Sequence, residues 1–239
     1  MWIKHALDTH DEVRGLTRTC TLCKILISNI RILQVKRDPQ ENAQALYEIA
    51  DAQGGYFTAA QARQAGYAYS QQHFHVERGN WQRVDRGLFR LRDYPPGERE
   101  DLIRWSLWSR NQKGVPQAVV SYDTALTVHE LSDVMPARVH LTVPPGFRKR
   151  VPPGCVLYKD RLTSSHVEAR PGFQVTTPLR TLLDVADSPL SQEHLNAAVR
   201  EALERGLVRR RRLEDADCPP EARRRLDRAL AAFEEGVSP

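Results

Sequence analysis

Residues 69–93, "YSQQHFHVERGNWQRVDRGLFRLRD", change their period halfway along. Up to Gly79 the spacing predicts one short helix. Tyr69, Gln72, His73 and Val76 share one face, and Ser70, Gln71, His75 and Arg78 share another. Beyond Gly79 the chain alternates over "WQRV" and "LFRL", split by "DRG", which predicts a β-hairpin. A three-residue loop closing on Gly87 suits a type I turn followed by a left-handed residue, where glycine carries no steric cost. Val84, Phe89 and Leu91 are expected to face inward, with Arg83, Arg86 and Arg90 at or near the tip. Three arginines within eight residues make a poor core strand and a good finger for a phosphate backbone.

Reading backwards from this stretch, "ENAQALYEIADAQGG" (41–55) places Ala45, Leu46, Ile49 and Ala50 on one helical face and stops at Gly54-Gly55. In "YFTAAQARQAG" (56–66), Thr58 is a natural N-cap, Ala59, Ala62 and Ala65 form a close-packing face, and Gly66 ends the helix. Three short helices followed by a hairpin are the order of a winged helix-turn-helix. The candidate DNA-contacting residues are Thr58, Ser70, Gln71, His75, Arg78, Arg83, Arg86 and Arg90. Glutamine pairs with adenine and arginine with guanine in the major groove, so Gln71 and Arg78 are the base-reading candidates. The alternative is a winged-helix fold used only to dock a protein.

The 239-residue chain is long enough to bury a core without disulfides. A hydrophobic fraction of 41% and a charged fraction of 27% are ordinary for a globular protein. The formal charge of +5 favours polyanions as partners. Arginine outnumbers lysine 29 to 6, but GC-rich coding explains bulk arginine as well as recognition does. Cys20 and Cys23 form a lone CxxC with no second pair or neighbouring histidine to complete a zinc site, so no metal or other cofactor is expected. The run "LCKILISNIRILQV" (22–35) is too short and too charged to span a bilayer, and it lacks a signal-peptide cleavage pattern. A cytoplasmic protein is the expectation, with residues 1–39 as an N-terminal extension of uncertain role.

After the turn "YPPGERE", helices and strands mix. A helix at "EDLIRWSLWSRN" places Leu102, Trp105 and Trp108 inward. A strand at "QAVVS", a helix at "YDTALTVHEL" and strands at "RVHLTV", "CVLYK", "HVEA" and "FQVT" follow, and then three helices from Pro178 onward. This predicts an α+β or mixed α/β fold with C-terminal helices: a DNA-binding domain at 41–94 and an α/β domain at 98–239. The Pro95-Pro96-Gly97 break should leave few backbone hydrogen bonds between them, so that each side folds alone. Catalytic signatures are missing. There is no phosphate-cradling glycine loop, no HExxH and no GxSxG. "LYKD" has its lysine and aspartate in the wrong order for a nuclease cation site, and Asp184 and Asp187 have no lysine beside them, so no catalytic residue is assigned. Arg148, Lys149 and Arg150 sit in a Pro-Gly loop and are candidates for a protein partner or polyanion contact, with a solvated loop as the alternative.

The segments "ALYEIADAQGGYFTAAQARQAGY" and "WQRVDRGLFRL", followed by "RVHLTVPPGFRKR" and "TTPLRTLLDVA", resemble AbiEi-family antitoxins over residues 41–208. The resemblance implies the antitoxin of a bacterial type IV toxin–antitoxin pair. It implies a winged helix that binds inverted repeats in the operon's own promoter and represses it. It also implies a second domain that neutralises a nucleotidyltransferase-like toxin. Ala68 stands where many relatives have a Ser or Thr cap, which leaves the recognition helix to start at Ala68 or at Ser70. Two other classes remain: a stand-alone regulator whose α/β domain senses a ligand or dimerises, and a nucleic-acid-processing enzyme.

Overall fold

The structure, a computed structural model, describes residues 38–237. The CxxC and the apolar run at 22–35 lie outside the described residues. The first described helix, α1 (Pro39–Asp51), buries Leu46 and Ala50 and stops at Gly54 and Gly55, both with positive φ. Strand β1 (Tyr56–Thr58) leads directly into α2 (Ala59–Gln64). Thr58 Oγ1 accepts from Gln61 N at 3.2 Å while Gln61 Oε1 accepts from Thr58 N at 2.8 Å, so two orphan donors are satisfied reciprocally. Helix α3 (Tyr69–Glu77) follows, then the hairpin of β2 (Trp81–Asp85) and β3 (Leu88–Leu91). The hairpin turn is tighter than expected. Asp85 pairs with Leu88 after an irregularity between Arg83 and Asp85, leaving Arg86 and Gly87 at the tip with Gly87 at φ +66°.

Sequence pattern did not reveal β1, because three residues between two helices carry no measurable period. Its partner supplies the reason that it forms. β1 pairs with β3, with Tyr56 opposite Arg90, Phe57 opposite Phe89 and Thr58 opposite Leu88, so the sheet runs β1-β3-β2. Successive side chains of a strand point to opposite faces. Phe89 therefore joins Phe57, Trp81, Leu46, Ala62 and Tyr67 in a core beneath the helices. Leu88, its neighbour, joins Tyr56 in a second core with Leu102, Ile103 and Leu107 of α4 (Glu100–Trp108). Both side chains are buried, and each such burial stabilises by about 1.5–3 kcal/mol. One small sheet thus has a core on each face.

Arg90 fixes the junction. Its Nη2 donates to Glu100 Oε1 at 2.8 Å and to the Pro95 carbonyl at 3.1 Å. Glu100 also accepts from Tyr56 Oη at 3.0 Å and from Gly97 N at 2.9 Å. Arg90 was expected near the hairpin tip, but its register opposite Tyr56 turns it toward α4. Near the tip itself, Arg110 Nη2 donates to the Gly87 carbonyl at 3.2 Å. Among the described residues no main-chain hydrogen bond crosses the Pro95–Gly97 turn, yet side chains join its two sides throughout.

Beyond α4, β4 (Val119–Val120), α5 (Tyr122–His129), β5 (Val139–Val143), β6 (Cys155–Lys159), β7 (Val167–Arg170) and β8 (Phe173–Thr176) build a five-stranded mixed sheet, ordered β6-β5-β4-β8-β7. Leu141, Val143, Phe173 and Val175 face α4. The far layer is helical: α6 (Pro178–Ala186), α7 (Gln192–Glu204), α8 (Arg210–Glu214) and α9 (Pro220–Val237) pack around Leu182, Leu195, Val199 and Leu226. The fold is the expected mixed α/β one. Among the described residues no helix is long and apolar enough to cross a membrane.

Glu100 gives this junction a pH dependence. Burial pushes its carboxyl up, but donors from Gly97, Tyr56 and Arg90 outweigh that and hold it below the usual glutamate range. A depressed carboxylate stabilises the fold above its unfolded value, and that contribution is lost as the pH falls through the lower folded value. Glu100→Gln should cost about 1–3 kcal/mol at neutral pH, the scale of hydrogen bonds to a charged group. It should also remove part of the acid limb. Urea unfolding at pH 7 and below about pH 4 checks both, and an unaltered acid limb would exclude Glu100 as its source.

Candidate functional site

The N-terminal surface follows from how α3 is seated. Gln72 is buried and its Nε2 donates to the carbonyls of Ala59 and Tyr67, both at 3.1 Å, which docks α3 against the start of α2. The helix starts after Ala68. No side chain caps it there, but Gln71 Oε1 accepts from Ala68 N at 2.8 Å, which settles the start in favour of Ala68 over Ser70. Gly79, at φ +75°, then lets the chain turn into β2; a Cβ there would meet the end of the Arg92 side chain.

This seating redistributes the expected faces. His75 was placed outward with Ser70 and Gln71, but its ring lies 4.7 Å from that of Trp81 at an interplanar angle of 14°, and Asn80 meets its Nδ1 at 3.0 Å. Burial lowers its pKa. Tyr69 and His73, which share a helical face with the buried Gln72 in the sequence pattern, are exposed. A short helix on a small core buries only a narrow stripe, and Trp81 decides which residues fill it. Thr58 is buried as the α2 cap, and Arg90 is held by Glu100. Of the expected contact residues, Ser70 and Gln71 lie exposed on α3, Arg78 is exposed at its C-cap, and Arg83 and Arg86 lie exposed on the hairpin. Gln71 has one amide group free, because its oxygen is held by the helix start.

Sequence reasoning missed the aromatic part of this surface. Phe74 is 49% exposed and Tyr69 is 64% exposed. The Arg78 guanidinium lies 5.2 Å from the Phe74 ring centre, and that of Arg63 lies 5.3 Å from the ring centre of Tyr69. Two arginine–aromatic pairs therefore flank the outer face of α3. The signal was present in the sequence as the spacings 63–69 and 74–78, but it gains meaning only once the buried stripe is known.

A second constellation lies on the far face of the large sheet. Arg180, on α6, bridges two acids that are 24 residues apart in sequence: its Nε meets Asp184 Oδ1 at 2.7 Å and its Nη2 meets Asp160 Oδ2 at 2.6 Å. Asp184 Oδ2 is buried without a hydrogen-bond partner. Tyr122 stacks on Tyr158 at 3.7 Å, and Tyr158 Oη lies 3.4 Å from His140 Nδ1. Tyr122 holds a left-handed backbone at φ 52°, which costs on the order of 1–3 kcal/mol in a non-glycine residue. Asp160 also lines an open cleft of about 470 Å³ with Gln117, Thr142, Thr163, Ser164 and Gln174. The guanidinium of Arg180 occupies the space between the two acids, and no cluster of three potential metal ligands occurs among the described residues. The basic loop contributes differently. Lys149 Nζ donates to the Trp108 carbonyl at 2.5 Å and sits 5.8 Å from the centre of its ring, while Arg148 and Arg150 remain exposed.

The sequence profile of the AbiEi antitoxin C-terminal domain matches residues 118–230, from the first strand of the large sheet to α9. This part of the chain matches an AbiEi antitoxin C-terminal domain. The match supports an antitoxin role for this chain in a toxin–antitoxin system. Its fold is also similar to that of the RV2827C protein from Mycobacterium tuberculosis. That likeness covers 85% of this chain and 80% of the other, with a TM-score of 0.51 and 17% identity. A search of curated protein sequences finds no match.

Within this matched segment, Asp184 should be a measurable weak point. Burial pushes its carboxyl up to about 6 although Arg180 pulls it down. A raised carboxyl binds more protons folded than unfolded, so stability declines as the pH rises from the unfolded value toward 6. Asp184→Asn keeps an oxygen for Arg180 and removes that ionisation. Its stability relative to the unsubstituted chain should grow between about pH 4 and pH 6 and then level off. Thermal unfolding across that range tests this, and a pH-independent difference would place the titration elsewhere.

Proposed function

We propose that residues 41–94 act as a winged helix-turn-helix that binds the operon's promoter DNA and represses it. The remainder neutralises a nucleotidyltransferase-like toxin. The observation that carries the DNA reading is the pairing of an exposed helix face with an arginine hairpin. Helix α3 turns Gln72 and His75 inward and leaves Ser70, Gln71 and Arg78 exposed, while Arg83 and Arg86 are exposed on the hairpin that follows. Helix α3 has the dimensions to enter a major groove, and the hairpin then meets the neighbouring backbone as a wing. Arg78 supplies the bidentate fork suited to guanine. Arg86, at the tip, suits a phosphate or the minor groove. The toxin reading rests on the family match of residues 118–230, which gives an antitoxin but not its partner.

The two roles are assigned to two parts of one packed body. Cutting at residue 98 would strip Leu102, Ile103 and Leu107 of Tyr56 and Leu88, so point substitutions separate the roles more cleanly than fragments do. Arg86→Ala should weaken binding to all duplexes and reduce the slope of log K against log salt by about one. Gel shifts on the upstream intergenic DNA at several salt concentrations read this. In cells carrying a nucleotidyltransferase toxin from the same operon, the variant should still protect while losing repression. Loss of protection in a folded Arg86→Ala protein would show that neutralisation runs through DNA binding.

A further inference from the structure

The C-terminal end of α4 is the meeting point of two basic features that are far apart in sequence. Arg110 donates through Nη1 to the Leu107 carbonyl at 2.7 Å and through Nη2 to the Gly87 carbonyl, which ties it to the hairpin turn. One residue beyond Leu107, the Trp108 carbonyl accepts from Lys149. A helix C-terminus carries partial negative charge and unpaired carbonyls, so both cations are held there for the same reason. Phe147 is buried with its ring centre 5.6 Å from that of Trp108, which pins the base of the loop as well. The hairpin tip with Arg86 and the loop with Arg148 and Arg150 are therefore anchored on consecutive carbonyls of one helix end.

Lys149 and Arg110 already repel each other there. Burial lowers the pKa of Lys149, and the Arg110 charge adds to that lowering. The loop "VPPGFRKRVPPG" holds no acidic residue, and Arg148 and Arg150 make no ion pair among the described residues. Asp85, at the start of the hairpin turn, is the nearby acid, and its carboxylate accepts from Arg86 N at 2.6 Å. A fixed concentration of positive charge, held on a restrained loop beside the hairpin tip, matches the regular negative charge of a duplex backbone.

We propose that Arg148 and Arg150 bind DNA phosphates and extend the wing's contact surface onto the antitoxin domain. This rests on the DNA-binding reading above and adds to it. The domain that defines the family then holds part of the DNA footprint, and the loop acts on affinity without reading bases. The test uses the full chain and a mixed-sequence duplex of about 30 base pairs, since phosphate contacts are independent of sequence. Arg148→Ala/Arg150→Ala should reduce the salt slope by about two, and adding Arg86→Ala should remove about one more. Base preference, read by selection from a random duplex pool, should be unchanged. Circular dichroism confirms folding of each variant, both loop arginines being exposed. If the double variant keeps the full slope while Arg86→Ala alone reduces it, the loop assignment is wrong and the wing reading stands. If the double variant keeps its DNA affinity but no longer protects against the toxin, the loop is a toxin contact instead. If the unsubstituted chain shows no salt-dependent binding, the DNA reading itself fails and the loop assignment falls with it.

Discussion

The carboxylate of Glu100 is the constraint on which the rest of the structure depends. It gathers Tyr56 from β1, Arg90 from β3 and the Gly97 amide from the turn between the two halves. A half-buried ion pair gains little over well-packed apolar residues, and its value lies in geometry. With Arg90 facing α4, alternation along β3 forces Leu88 toward α4 and Phe89 toward α1 and α2. The same register brings β1 into the sheet, and β1 ends at Thr58, which starts α2. A single charged contact thereby orients the helices that present α3.

That coupling has a mechanical consequence. The proposed wing is not a free finger, because Arg110 holds the Gly87 carbonyl and Ala59 N donates to it as well at 3.0 Å. The hairpin is braced from α2 on one side and from the end of α4 on the other. A contact held this way loses little conformational entropy on binding, which favours affinity per contact over adaptability. It also means that the end of α4 positions the hairpin, and both lie before the segment that matches the family profile.

The polar constellation around Arg180 shows a similar economy in the second half. Asp160 directly follows β6, while Arg180 and Asp184 share a turn spacing on α6, so one guanidinium ties the sheet's edge to the helical layer. The stacked Tyr122 and Tyr158 lie across the same seam, and Tyr122 bears a strained backbone to reach it. Such strain persists only where the surroundings over-determine the conformation. Here the capping position of Ser121 and the stack on Tyr158 do so, because Ser121 is held by Thr142 Oγ1 at 2.8 Å.

The sequence alone determined the helices with strong stripes and clear stops, the hairpin closed by Gly87, the capping by Thr58 and the mixed α/β class. These are local properties: a period, a cap or a left-handed turn is written in a few adjacent residues. Its quoted segments were also enough to show the resemblance to AbiEi antitoxins. The tertiary structure decided which polar residues remain available. His75 and Arg90 look like surface groups in a polar stretch, yet Trp81 claims one and Glu100 the other, and neither partner is a sequence neighbour on its own element. Phe74 and Tyr69 went the opposite way, because a nine-residue helix on a small core can bury only one narrow stripe. Asp160 and Asp184 looked unconnected until the sheet and α6 brought Arg180 between them. Exposure depends on contacts between distant segments, so local pattern fixes the elements but cannot say which of their faces remain free.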